Sequence, residues 1–483
     1  MTTTRSNTTE GATRAAPPVH KTAILVIILV SYFMILLDNS IIFTGLPSIQ
    51  RTLGFSSTGL AWVQDAYTLT FGGLLLLASR AGDILGRRRL FIIGLIVFSG
   101  ASLFVGASPV GSWMVAARAV QGIGAAIVAP TSLSLLTATF PAGRERNRAV
   151  ALYSATAGIG ASLGMVIGGV LADLVSWRAG FFINIPIGAV MIVLATKYLV
   201  EQPKRPGKFD VLGAVTSTVG IGAIIFGIIE SSSRGWASPV TLVSIAVGAA
   251  LLVVLVVHEA RAAEPIMPLR LFVSRHRSGA YAVRFLYLGA MMGFFFFTTQ
   301  YLQEVHGWNP LQAGLGFLPM TAVNFAVALN VTRLGRFIRP VPMLAIGVIL
   351  TLAGMFWLSL VTADTGYIVS VGLPMLLIGA GQGLAFAPLT SFGISGVEAH
   401  DAGAASGLLN TAHQLGSSVG LAILVAVGAG AVAAHESTTA AVIARVHGAL
   451  TGSSVMLAVA LVVSLVFHHR NSLVFHRRKE FQS

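Results

Sequence analysis

About fourteen apolar stretches of some twenty residues recur along the chain, near 22–46, 60–80, 89–109, 112–139, 149–173, 177–200, 211–230, 240–258, 279–302, 311–332, 341–361, 367–390, 402–433 and 447–468. Each is long enough to cross about 30 Å of hydrocarbon as a helix. Within hydrocarbon every backbone polar group must be paired internally, and continuous apolar runs of this length do so as helices rather than as barrel strands. The expected fold is therefore an all-α polytopic membrane protein.

Composition agrees: of 483 residues 55% are hydrophobic and 10% charged, far more apolar than an average soluble domain. The chain has no cysteine, which removes disulfide frameworks and thiolate metal sites. A net charge of +14 would point to nucleic acid in a soluble protein, but here its placement decides the matter. With the amino terminus cytoplasmic, Arg87, Arg88 and Arg89, then Arg144, Arg146 and Arg148, then Lys204, Arg205 and Lys208 all fall in inside connections. Arg270, Arg275 and Arg277, then Arg333, Arg336 and Arg339 follow suit, while outside loops hold single cations such as Arg51, Arg178, Arg234 and Arg445. The positive-inside rule thus predicts both termini in the cytoplasm. The basic runs read as orientation signals, and no nucleic-acid partner is expected.

Residues 1–21 read as a disordered tail and 469–483 as a short basic one. His468, His469 and His476 have no acid or thiol beside them, so no metal site is expected. Gln121 to Pro130, QGIGAAIVAP, is echoed by QGLAFAP at Gln382 to Pro388, and AGIGASLG at 157–164 by HQLGSSVG at 413–420. The order and spacing of these echoes predict parallel repeats. An amino-terminal six-helix bundle is placed at 22–200, a linker with two extra spans at 201–277, and a carboxyl-terminal six-helix bundle at 278–468. Apart from the tails, no polar segment is long enough to hold an ATP site, and the sole Gly-Lys pair, Gly207-Lys208, is followed by Phe209 rather than a hydroxyl residue.

Chemistry-bearing residues interrupt the spans. Asp38 sits inside the first, where a carboxylate costs about 2.5–3.5 kcal/mol even on lenient insertion scales, so it reads as a titrating group or as an acid pinned by a neighbouring helix. Asp65 lies about four residues into the second span from the outside, where water is expected to be near. Arg118, inside the fourth, keeps its charge and must be paired or hydrated. His413 reads as a satisfied core residue. In GFFFFTTQY, Gly293 to Tyr301, the aromatics point to successive faces, so one or two at most can face a central cavity. Phe297 and Tyr301 are the candidates for contact with a substrate there. The stretch SRAGDILGRRRLF offers Asp83, Gly86, Arg87 and Arg88 for a charge clasp on a tight turn.

That last stretch resembles the loop between spans two and three of the major facilitator superfamily, matching at Asp83, Gly86, Arg87 and Arg88 and departing at Ser79 and Ile84. LLDNSIIFTGLP resembles the first-span motif of the fourteen-helix drug/proton antiporters through Leu37, Asp38, Leu46 and Pro47. RAVQGIGAA, from Arg118, is similar to their fourth-span motif. Gly160, Gly164, Gly168 and Gly169 match the fifth-span motif, with Met165 where its proline is usual. WVQDAY, WRAGFFINIPIG, KFDVLG and YLQEVHGWNPLQAGLGFLP extend the likeness over essentially every span.

The resemblance implies proton-coupled efflux of lipophilic cationic drugs or antibiotics through alternating access of the two bundles. It implies the proton as coupling ion, no cofactor and no enzymatic activity, in a monomer of a bacterial-type cytoplasmic membrane. Asp38 and Arg118 would couple protons, and Asp38, Asp65, Phe297 and Tyr301 would bind substrate. Asp83, Gly86, Arg87, Arg88, Gly160, Gly164, Gly168 and Gly169 would gate the motion. Transport of a specific metabolite on the same fold, and a receptor that has given up transport, remain the alternatives.

Overall fold

A computed structural model describes residues 20–141, 143–201, 204, 209–262, 265–397, 401–432 and 438–468. The expected tails apart from His20 and Lys21, including His469 and His476, and the linker cations Arg205 and Lys208 lie outside the described residues, while Lys21 already opens the first helix. The first half comprises α1 (Lys21–Leu53), α2 (Trp62–Leu85), α3 (Arg87–Gly106), α4 (Gly111–Thr139), α5 (Arg144–Leu174) and the run of α6 (Ala179–Phe182) into α7 (Asn184–Tyr198). Two helices follow, α8 (Val211–Arg234) and α9 (Pro239–Glu259). The second half comprises α10 (Arg275–Gln300), α11 (Pro310–Leu315), α12 (Leu318–Leu334), α13 (Pro340–Leu358), α14 (Leu373–Gly393), α15 (Ala402–Gly430) and α16 (Thr438–His468). Single π-helical turns extend α10 at Tyr301–Val305 and open α14 at Ile368–Gly372.

Among the described residues thirteen helical stretches are long and apolar enough to cross a membrane, and α5, whose apolar part is described over Leu163–Leu174, stands between two of them. Large apolar side chains such as Val253, Val256, Val459 and Val462 face outward, as a lipid-facing surface requires.

The sequence echoes mark equivalent packing in the two halves. On α5, Gly160, Gly164 and Gly168 lie against α1, where added β-carbons would come within 2.9 Å of Leu36 Cβ, 2.5 Å of Ser40 Cβ and 2.7 Å of Ile41 Cα. On α15, Gly416 and Gly420 lie against α10 in the same way, 2.6 Å from Phe285 Cα and 2.9 Å from the Gly289 carbonyl carbon. Small residues four apart thus let backbones touch in each repeat. Pro130 and Pro388 sit inside α4 and α14.

The halves meet along a seam. At the end where α1 stops, Phe43 stacks on Phe295 at 5.5 Å and Gln303 Nε2 donates to the Thr44 carbonyl at 2.9 Å. There Gly169 behaves differently from its three companions. It abuts α11, with the Pro310 carbonyl oxygen 2.6 Å from where its β-carbon would be, while Gly314 of α11 abuts the Met165 carbonyl oxygen at 2.5 Å. The second contact line joins α2 to α15, where Thr68 and Ser418 share a hydroxyl hydrogen bond and Thr411 donates to the Gly72 carbonyl. α8 lies over this line, with Ile225, Ile228 and Ile229 packed on Leu69 and Leu415, and α9 packs on α8 through Gly220 with Gly248 and Gly227 with Ile245.

Candidate functional site

The centre of the first half is a buried polar network built by five helices. Asp38 of α1 and Arg118 of α4 are both fully buried and joined by NH1 to Oδ2 at 2.7 Å. The second carboxylate oxygen accepts from Gln121 Nε2 at 2.7 Å and from Asn184 Nδ2 at 2.8 Å. Ser102 of α3 takes a further bond from Gln121 at 2.7 Å. Arg118 also donates from Nε to the Val63 carbonyl of α2 at 2.9 Å and from NH1 to Gln121 Oε1 at 2.8 Å. Its guanidinium carbon stands 4.2 Å from the Tyr67 ring centroid, a cation–π arrangement. The two charges thus compensate each other and, apart from Arg118 NH2, are hydrogen-bonded, the condition under which a buried ion pair is tolerable.

Asp65 is the opposite case. The expectation of nearby water is not met: Asp65 is fully buried, because α15 lies against α2 there and Ser418 sits over the Asp65 backbone carbonyl. Neither carboxylate oxygen has a hydrogen-bond partner. A buried carboxylate without donors is stabilised only by a proton or by a cation brought to it.

Phe297 and Tyr301 do not line the seam as expected. Both are buried in the core of the second half, Phe297 edge-on to Phe296 at 5.1 Å and Tyr301 with its hydroxyl donating to the Thr362 carbonyl at 2.7 Å. Of the four successive phenylalanines only Phe295 is partly exposed, and it is the one that meets Phe43 of the other half.

The turn between α2 and α3 is a tied joint. Asp83 Oδ1 accepts from Arg87 Nε at 3.0 Å and NH2 at 2.8 Å, four residues on, so the clasp closes across the turn itself. Gly86 turns the chain at φ 109°, a conformation that favours glycine. Arg88 reaches the Thr196 carbonyl of α7 at 2.5 Å. Glu201, beyond α7, accepts from the backbone N–H groups of Arg88 at 3.1 Å and Arg89 at 3.0 Å, capping the exposed start of α3.

Sequence reasoning missed Gln121, Asn184, Ser102 and Glu201 as site members, and it missed Arg284. The Arg284 side chain is buried on α10, with NH2 3.2 Å from His413 Nδ1. The signal was available, since an arginine within YAVRFLYLG interrupts an apolar run as Arg118 does.

Two helical halves, joined along a seam and holding buried charge at their centres, define a polytopic membrane transporter rather than an enzyme. The chain belongs to the Major Facilitator Superfamily, whose family description matches residues 28–421. It is 38% identical over 453 residues to the cephamycin export protein CmcT of Amycolatopsis lactamdurans, covering 92% of each chain. It is 35% identical over 451 residues to the puromycin resistance protein pur8 of Streptomyces alboniger, covering 92% of this chain and 89% of that one. Among solved structures, a POT family transporter in complex with a thioalcohol-conjugated peptide superposes with a TM-score of 0.66 at 13% identity, over 95% of this chain and 96% of that one. That likeness concerns the fold alone.

Proposed function

We propose that the chain is a proton-driven exporter of antibiotics and related drugs, a monomer in a bacterial cytoplasmic membrane with both termini inside. The observation that carries this reading is Asp65, a fully buried carboxylate beside the seam whose two oxygens have no partner. Such a group holds either a proton or the protonated amine of a lipophilic drug, but not both, which is the elementary requirement for exchange. The printed functions of CmcT and pur8, export of and resistance to antibiotics, support the direction and the cargo.

In this reading a drug enters from the cytoplasm and its amine meets ionised Asp65. The far-end contacts of Gly169 with Pro310 and of Gly314 with Met165 then part, and the near end closes as the halves rock. A proton arriving from outside neutralises Asp65 and discharges the cargo. Asp38 and Arg118 form the second charge element: protonating Asp38 releases Arg118 and slackens the link between α1 and α4, coupling proton entry to movement. A membrane potential contributes about 2.3 kcal/mol per charge per 100 mV. The proton is the only coupling ion and no cofactor takes part.

The test uses purified protein in liposomes loaded with a pH-sensitive dye. A proton gradient should drive puromycin movement, and puromycin should release protons down the gradient. Drug movement that ignores the gradient would overturn proton coupling, and absence of movement for every antibiotic tried would overturn export.

A further inference from the structure

Among the described residues Arg118 and Arg284 are the two buried arginines, one in each half, and their surroundings differ in kind. Arg118 has an acid, an amide oxygen and a carbonyl to donate to. Arg284, nine residues into α10 and 7% exposed, has only His413 Nδ1, and its Nε and NH1 have no hydrogen-bond partner. Among the described residues no carboxylate pairs with it. A guanidinium stays charged at any accessible pH, and leaving one buried without an anion is strongly unfavourable. The chain nevertheless holds it in place: the Phe386 ring lies 4.2 Å from its guanidinium carbon, and His413, accepting at Nδ1, fixes one edge.

The position faces the other half. Tyr32 of α1 lies within electrostatic reach of Arg284 and stacks on Tyr153 of α5 at 4.1 Å, 12° from parallel. Tyr32, Tyr153, His413 and Phe386 are all half-buried, and the unpaired Nε and NH1 of Arg284 belong to a guanidinium that lies over the Phe386 face. We propose that Arg284 binds the carboxylate of the transported molecule, whose apolar ring system lies against Tyr32 and Phe386. The proposal rests on the export reading and sharpens it. The preferred cargo is then an amphoteric or acidic drug, with its carboxylate at Arg284 and, where it has one, its amine at Asp65. A simple lipophilic cation meets a repelling charge at Arg284.

The experiment compares cefoxitin, which carries a free carboxylate, with its methyl ester, using purified full-length protein in phosphatidylcholine nanodiscs and calorimetric titration. Wild-type protein should bind the acid at least about tenfold more tightly than the ester. Arg284→Gln should abolish that preference, and Arg284→Lys should retain part of it. Equal binding of acid and ester by wild-type protein would overturn the proposal without reference to any variant, as would failure of both to bind. Inorganic phosphate or chloride competing more strongly than benzoate would assign the site to a small anion and overturn it too. Liposome transport of puromycin and of cefoxitin by the same wild-type preparation separates the two readings. If nothing is moved while the acid is still preferred, export fails and the carboxylate site stands; if puromycin moves but acid and ester bind alike, the reverse holds.

Discussion

Two carboxylates on neighbouring helices, Asp38 and Asp65, meet burial in opposite ways, and their variants should separate accordingly. Asp38→Asn leaves Arg118 charged and unpaired, a loss of about 3–5 kcal/mol for a buried pair broken on one side, so its melting temperature should fall. Asp38→Asn combined with Arg118→Gln should recover most of that stability yet remain unable to export against a gradient. Recovery of gradient-driven export in the double variant would reduce the pair to a helix pin. Asp65→Asn breaks no hydrogen bond of the carboxylate, so its stability should stay within about 1 kcal/mol of wild type. In resistance profiles at equal expression it should lose more protection against drugs that carry an amine than against neutral or acidic drugs without one. An equal loss in every charge class would end its assignment to cargo recognition. Asp38 and Arg118 were legible in the sequence because ionisable groups inside apolar spans are costly and so stand out. Gln121 and Asn184 were not, since an amide costs less to bury than a charge and only geometry reveals that each donates to Asp38. Arg284 escaped for another reason, its closeness to Arg275 and Arg277, whose role as orientation charges is sufficient explanation for a basic run.

At the scale of the helix, α5 has two working sides. Gly160, Gly164 and Gly168 serve the contact with α1, and Gly169 the contact with α11. Gly164→Leu places bulk where Ser40 Cβ and the Leu37 carbonyl already stand, 2.5 and 3.1 Å from the new β-carbon. It should destabilise by about 1–3 kcal/mol, the range for overpacking, and slow export; normal turnover would show that α1 and α5 separate easily. Glu201→Ala removes the acceptor for two N–H groups at the start of α3 and should cost about 1 kcal/mol, as loss of a helix cap does, detectable as a lower melting temperature. Span positions were readable from apolar length, and the repeats from the echoed glycines. The separation of Gly169 from its companions was not readable, because consecutive residues on a helix point about 100° apart and only the partner helix tells which direction is used.

Over the whole molecule the seam is held at one end by α5 with α11 and along its length by α2 with α15. The absence of native cysteine makes this directly testable. The Thr68 and Ser418 side chains meet across the α2–α15 line, so cysteines introduced at 68 and 418 face each other there. Oxidation should cross-link the halves and stop export, and reduction should restore it; export that continues in the cross-linked protein would show that this contact need not part. Of α8 and α9, read from sequence only as two spans left over, α8 covers the α2–α15 line through Leu69 and Leu415 and α9 backs it. Lipophilic drugs dissolve in the bilayer before they meet any pump, and a gap between halves is a side door from that reservoir. On the export reading proposed above, α8 shutters one such door, which leaves lateral entry to the opposite flank of the seam.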